Sequence, residues 1–174
     1  ITGGIITDSS DNSIQILWGD YGEGKVQLIQ TNDMTGCIDS TSINITINPV
    51  PVPEIIGNEI VCTETLEIYE SNSEEGIANR WYITGGQNQV ADTLDYAEIV
   101  WDSVSSGQIK LIQTYEKTGC TDSIIMNIEI NPLPDPVVRG IFDVCEYNSQ
   151  IYYSNNETGY SKLWRGAGGD IQED

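Results

Sequence analysis

The groups with which this chain could do chemistry are four cysteines and 27 acidic side chains, set against seven basic ones and no histidine. Without histidine the commonest general base and metal ligand is missing. Two carboxyl groups at a fixed separation could hydrolyse a glycosidic bond, but no spacing here selects such a pair. Close carboxylates such as Asp20 with Glu23, or Asp92 with Asp95, could hold calcium, yet neither an EF-hand nor a nonapeptide calcium repeat is present. A solvated acidic surface accounts for them, so no cofactor is expected and calcium is a weak possibility. The Gly166–Gly169 segment "GAGG" lacks the following lysine and helix start of a phosphate loop. No catalytic residue is expected. The cysteines Cys37, Cys62, Cys120 and Cys145 show no CxxC spacing, which argues against zinc and for disulfides outside the cytosol.

The cysteines are positioned by a repeat. "TGCIDSTSINITINPVPVP" from Thr35 returns as "TGCTDSIIMNIEINPLPDP" from Thr118, 83 positions on. Residues 14–62 match residues 97–145 at 22 of 49 positions. Trp18 falls on Trp101, Cys37 on Cys120, Gly57 on Gly140, Cys62 on Cys145 and Trp81 on Trp164. The "ITGG" at Ile1 recurs at Ile83, at an offset of 82, so the second copy carries one extra residue in the loop that follows. All six prolines lie at matching places, Pro49, Pro51, Pro53 and Pro132, Pro134, Pro136. Alternate prolines fix φ and remove amide donors, so they read as semi-rigid joints. With the joints as boundaries, residues 1–50 are the back of repeat one, 51–133 all of repeat two and 134–174 the front of repeat three.

Within the repeat the apolar pattern has period two. Ile43, Ile45 and Ile47 alternate with Asn44, Thr46 and Asn48, and Met126, Ile128 and Ile130 repeat the pattern, as in a half-buried strand. "GKVQLIQT" and "GQIKLIQT" predict the strands before these, with hairpin turns at "DMTG" and "EKTG". "LEIYES", "NRWYITGG" and "AEIVWD" add short strands rich in β-branched and aromatic residues. About seven strands in some 83 residues, with no helical period, predict an all-β fold: tandem antiparallel Ig-like β-sandwiches. Trp18, Trp81, Trp101 and Trp164 are expected as core aromatics, Trp81 on the central strand. The other reading of Trp81 and Trp101 is a platform that stacks on sugar rings.

The order Val61–Cys62, Tyr69, Trp81 with Gly85–Gly86, Trp101, Gly107, Gly119–Cys120 and a closing alternating strand resembles the PKD-like Ig-fold repeats, named for polycystic kidney disease. These occur in tandem in large secreted surface proteins of Bacteroidota, including gliding and adhesion proteins exported by type IX secretion. The resemblance covers the whole chain. It departs where "WDFGDG" is expected, since this chain has "WYITGG" and "WRGAGG". The departure points to a divergent branch and removes the aspartates of that turn. The resemblance implies a non-catalytic structural or adhesive module at the cell surface: stalk, fibre or adhesin. The alternative is a spacer or carbohydrate-binding module of an extracellular hydrolase. In that lineage O-glycans are carried on Asp-Ser/Thr tripeptides, which makes Ser40, Thr93, Ser103 and Ser123 candidate sites. Turn chemistry also favours such tripeptides.

The expected partners are neighbouring repeats of the same polypeptide, and surface glycans or other cell-surface proteins. A formal net charge of −20 repels nucleic acid and anionic lipid. No run is long and apolar enough for a membrane helix, no signal segment opens the chain, and Ile1 is not expected to be a native start. For the cysteines three arrangements stand. They are a Cys62–Cys120 bond within repeat two, a staple from the base of one repeat to the top of the next, and free thiols. The ends of one sandwich lie roughly 23 Å apart if seven residues of strand separate them, against the 7 Å or so of Cα separation that a disulfide spans. The fronts and backs at the two ends of the chain also allow two chains to complete a sandwich head to tail, a contact that builds filaments. A window on a longer repetitive polypeptide explains the same phase.

Overall fold

A computed structural model describes residues 1–102, 105–155 and 158–167. Its described residues form strands and connecting segments, with no helix. Contacts divide the chain into two compact units, Ile1–Pro132 and Leu133–Asp174.

The segment from Ile55 to Asn131 holds eight strands in two four-stranded sheets. They are β5 (Ile55–Ile56), β6 (Ile60–Cys62), β7 (Leu66–Ser71), β8 (Ile77–Thr84), β9 (Gly86–Asn88), β10 (Tyr96–Trp101), β11 (Ser106–Tyr115) and β12 (Thr121–Asn131). One sheet has the order β5-β7-β10-β9 and the other β6-β12-β11-β8. Their inner faces meet in a single core. Ile55, Tyr69, Ala97, Ile99 and Trp101 come from the first sheet, and Val61, Trp81, Ile109, Leu111, Ile128 and Ile130 from the second. This is the sandwich-like solution for sheets that are apolar on one side. The alternation read from "MNIEINP" is realised in β12, where Ile128 and Ile130 are buried and Asn127 and Glu129 are exposed.

One pairing departs from the expected antiparallel pattern: β6 runs parallel to β12, with Glu129, Ile130 and Asn131 opposite Ile60, Val61 and Cys62. The cause is a change of sheet. The chain pairs with β7 through β5, crosses at Gly57–Glu59, and continues in the same direction along the edge of the other sheet. Two short strands therefore stand where one was expected.

Glycines at the aromatic contacts leave room for rings. A Cβ on Gly57 would lie 2.3 Å from Tyr69 Cδ1, and one on Gly107 2.3 Å from Trp101 Cζ3. The Tyr69 and Trp101 rings meet edge to face at 6.1 Å, and Tyr69 Oη donates to Asn58 O at 2.9 Å. The neighbouring copies repeat these contacts at the same offset. A Cβ on Gly140 would lie 2.3 Å from Tyr152 Cδ1, and one on Gly24 2.6 Å from Trp18 Cζ3. Tyr152 Oη donates to Ile141 O at 3.0 Å.

Residues 4–47 fold as two hairpins, β1 (Gly4–Ser9) with β2 (Ile14–Trp18) and β3 (Gly22–Thr31) with β4 (Ile38–Ile47). Both β3–β4 and β11–β12 close through the same turn. Asn32 N donates to Cys37 O and Gly36 N to Asn32 O, as Tyr115 N does to Cys120 O and Gly119 N to Tyr115 O. Gly36 and Gly119 adopt φ of 70° and 72°, a left-handed conformation that glycine takes without strain. Among the described residues no strands equivalent to β7 and β8 flank β2 and β3, and their faces stay open. Leu28 is 55% exposed, whereas Leu111 at the same place in the complete copy is 0% exposed. In the second unit β13 (Val138–Arg139) pairs with β14 (Tyr153–Ser154), the counterparts of β5 and β7.

Two outcomes test this packing. Gly107→Ala forces a methyl into the Trp101 ring and should lower stability by about 1–3 kcal/mol, read as an earlier urea-induced red shift of tryptophan emission. Burial pushes the Tyr69 phenol up to about 12, opposed by the Trp101 side chain and aided by the Glu67 carboxylate. The unfolded chain then releases this proton from about pH 10 while the folded one keeps it. The module should lose stability between pH 10 and 12, and Tyr69→Phe should flatten that decline while lowering stability at neutral pH.

Candidate functional site

Each side chain with candidate chemistry can be placed on this frame. Among the described residues no group of three or more cysteines, aspartates and glutamates is gathered to hold a metal ion. The carboxylates weighed for calcium in the complete copy are engaged elsewhere. Asp95 Oδ1 accepts from Asn79 Nδ2 at 2.9 Å, and Asp92 Oδ2 lies 3.8 Å from the Arg80 guanidinium. Asp20 and Glu23 are both exposed.

The tryptophans separate into two classes. Trp81 and Trp101 are 2% and 1% exposed, and Trp81 Nε1 donates to Leu94 O at 2.9 Å. Neither offers a face to a sugar. Trp18 is only partly buried and Trp164 is 44% exposed, so the expected core role of these two is not met here. Each belongs to a partial copy in which, among the described residues, no opposite sheet covers the ring.

Ser40 and Ser123 sit at matching places on β4 and β12, and Thr93 in the turn before β10; all three are exposed. The backbone N–H of Ser40 donates to Asp39 Oδ1 at 2.7 Å and that of Ser123 to Asp122 Oδ1 at 2.7 Å. Ser103 lies outside the described residues, as does Gly168–Gly169.

Cys62 ends β6 opposite Asn131, the last residue of β12, while Cys120 precedes the first residue of that same strand. Eleven residue steps separate the two ends, about 36 Å at some 3.3 Å per residue. A Cys62–Cys120 bond within one module is therefore excluded, by a larger margin than seven residues of strand would give. All four cysteines are free thiols, Cys120 partly buried and the other three exposed. Cys37 occupies in the first hairpin the place of Cys120, and Cys145 lies between β13 and β14.

What the structure gathers at one end of the module is a polar cluster, buried at Gln113 and Asn79 and exposed at Asn72, that grips the proline joint. Gln113, 1% exposed, donates from Nε2 to Asn72 Oδ1 at 3.2 Å and Asn79 Oδ1 at 3.2 Å. Asn72 in turn donates to Val52 O at 2.8 Å and accepts from Glu54 N at 3.0 Å. Asn79 Nδ2 also donates to Ser71 Oγ at 3.2 Å. Pro51 is fully buried. The second unit repeats the grip, with Asn155 Nδ2 donating to Asp135 O at 3.0 Å. Asn72 and Gln113 were not singled out by the sequence reading. Their signal was there: Ser71–Asn72 returns as Ser154–Asn155 and Gln113 matches Gln30, all at the 83-residue offset.

No protein-family model matches the chain, and no curated protein is significantly similar to it.

Asn72→Ala removes the donor to Val52 O and the acceptor of Glu54 N. It should cost about 0.5–1.5 kcal/mol and speed proteolysis within residues 48–54, measured as the cleavage rate under native conditions. Asn72→Asp keeps the acceptor and should retain part of the protection.

Proposed function

We propose that this chain is a non-catalytic segment of a tandem array of Ig-like, PKD-like modules in a long secreted cell-surface protein, where it serves as stalk, fibre or adhesin. The observation that carries the reading is the grip on the joint, made by Asn72 in one copy and by its counterpart Asn155 in the next. A catalytic domain needs a cleft and a poised group. An extended spacer needs identical modules whose connections do not flop. Here Val52 to Glu54 are tied to the module that follows them, and prolines at 49, 51 and 53 stiffen what precedes it.

The charge fits the same role. A surface of formal charge −20 per 174 residues keeps neighbouring fibres apart and soluble. The runner-up, a carbohydrate-binding module reading sugars through Trp81 or Trp101, has no exposed ring to use, since both are buried. Ser40, Thr93 and Ser123, all exposed, are the described places where surface glycans would attach.

Antibodies raised against the 174-residue chain should label intact, unpermeabilised cells that produce the protein. Staining confined to lysed cells would refute the surface assignment. Single-molecule stretching of the native protein should give evenly spaced unfolding events, each releasing on the order of 250–300 Å of chain for an 83-residue module. Irregular spacing would refute the array.

A further inference from the structure

The cysteines sit in a phase that no single module can satisfy. Each front in the chain carries one, Cys62 or Cys145, and each last hairpin carries one, Cys37 or Cys120; the complete copy carries both. In the complete copy the front cysteine stands beside Asn131, where the chain leaves for the next module, and the hairpin cysteine stands at the opposite pole. That pole is the one at which the proline joint arrives. Gln113 reaches Asn72, which holds Val52, and Gln113 lies opposite Asp122 in the β11–β12 ladder. Cys120 is two residues further out along the hairpin than Asp122, about 7 Å beyond the clamped joint. It projects toward whatever precedes Val52.

The joint limits how far away that is. Asn48 is the counterpart of Asn131 and lies four residues before Val52, at most about 14 Å of chain. A front cysteine placed beside Asn48 as Cys62 is placed beside Asn131 would be one strand spacing away from it, about 5 Å. The hairpin's advance of about 7 Å covers half of the joint's span of at most about 14 Å, so the gap left along the axis between the two cysteines is at most about 7 Å, the scale of the Cα separation that a disulfide bridges.

We propose that the cysteines form staples between successive modules, the front cysteine of each bonded to the hairpin cysteine of the next, so that every proline joint is crossed by a disulfide. The proposal rests on the tandem-array reading. In each staple two thiols lose two protons and two electrons to an external disulfide, which is reduced to two thiols as the new S–S bond forms. Within the present 174 residues the partner of Cys62 would be a hairpin cysteine one module further on, and the partner of Cys120 a front cysteine one module back. The phase therefore places no staple within these 174 residues.

The test joins two copies of the chain where the repeat continues in register, with Arg165 of the first followed by Ile1 of the second. The junction completes a module from residues 134–165 of one copy and 1–50 of the other. After oxidation with oxidised glutathione, four of the eight thiols should disappear. Peptide mapping without reduction should then find two linkages. Cys62 of the first copy should be bonded to Cys37 of the second, and Cys145 of the first to Cys120 of the second. Linkage of Cys145 to Cys37 within the joined module, or a folded joined module whose thiols persist, would overturn the staple and leave the array standing. A joined module that stays open to protease under native conditions would overturn the array reading, and the staple with it.

Discussion

The closing of two four-stranded sheets over Tyr69, Trp81 and Trp101 is the interaction on which the rest of the structure depends. A sheet apolar on one face has to cover that face, and at roughly 25 cal/mol per Å² of buried apolar surface the cover is worth more than any single contact. The chain shows the effect by its own comparison. Leu111 and Leu28 are the same residue at the same place on equivalent strands, yet the first is fully buried and the second largely exposed. Trp101 and Trp18 differ in the same direction. Sequence sets the alternation in each copy, but only a copy that has both its front and its back turns alternation into a core.

Much of this is legible in the sequence alone. The 83-residue offset, the all-β character and the strands at "LEIYES", "NRWYITGG", "AEIVWD" and "GQIKLIQT" follow from period-two patterning and β-branched composition, which act locally. Three features were not legible, because each depends on where distant segments meet. The parallel course of β6 comes from the chain changing sheets at Gly57–Glu59, with no residue type that announces it. The full separation of Cys62 from Cys120, beyond the roughly 23 Å read from seven residues of strand, depends on the length of β12, longer than the alternating motif that marks it. The Asn72 clamp joins residues 41 positions apart, and no local pattern in the sequence announces that these two amides meet.

Gln113 shows what such burial requires. An amide at the end of a β-strand is costly to hide unless its groups are satisfied. Here its Nε2 meets two asparagine oxygens, and those asparagines bond onward to the joint, to Ser71 and to Asp95. A polar network of this kind specifies a geometry more than it adds net stability. Its position at the pole where the joint arrives fixes how Val52 to Glu54 enter the module, something an apolar contact would define less sharply. The counterpart Asn155 bonds Asp135 O in the next copy, so this hold on the entering chain is a property of the repeat.

In the array proposed above, mechanical continuity raises a further constraint. Hydrogen bonds in series with a proline joint carry load only as far as the weakest clamp, whereas the hairpin that overhangs the joint offers a second route. Cys120 stands on that overhang and Cys62 beside the strand end that feeds the following joint. A module with its thiols at opposite poles, about 36 Å apart, gains nothing from them alone. Placed end to end with its copies, it presents at every joint one thiol from each side, so the chemistry of the cysteines, like the covering of the apolar faces, belongs to the pair of neighbours and not to the single module.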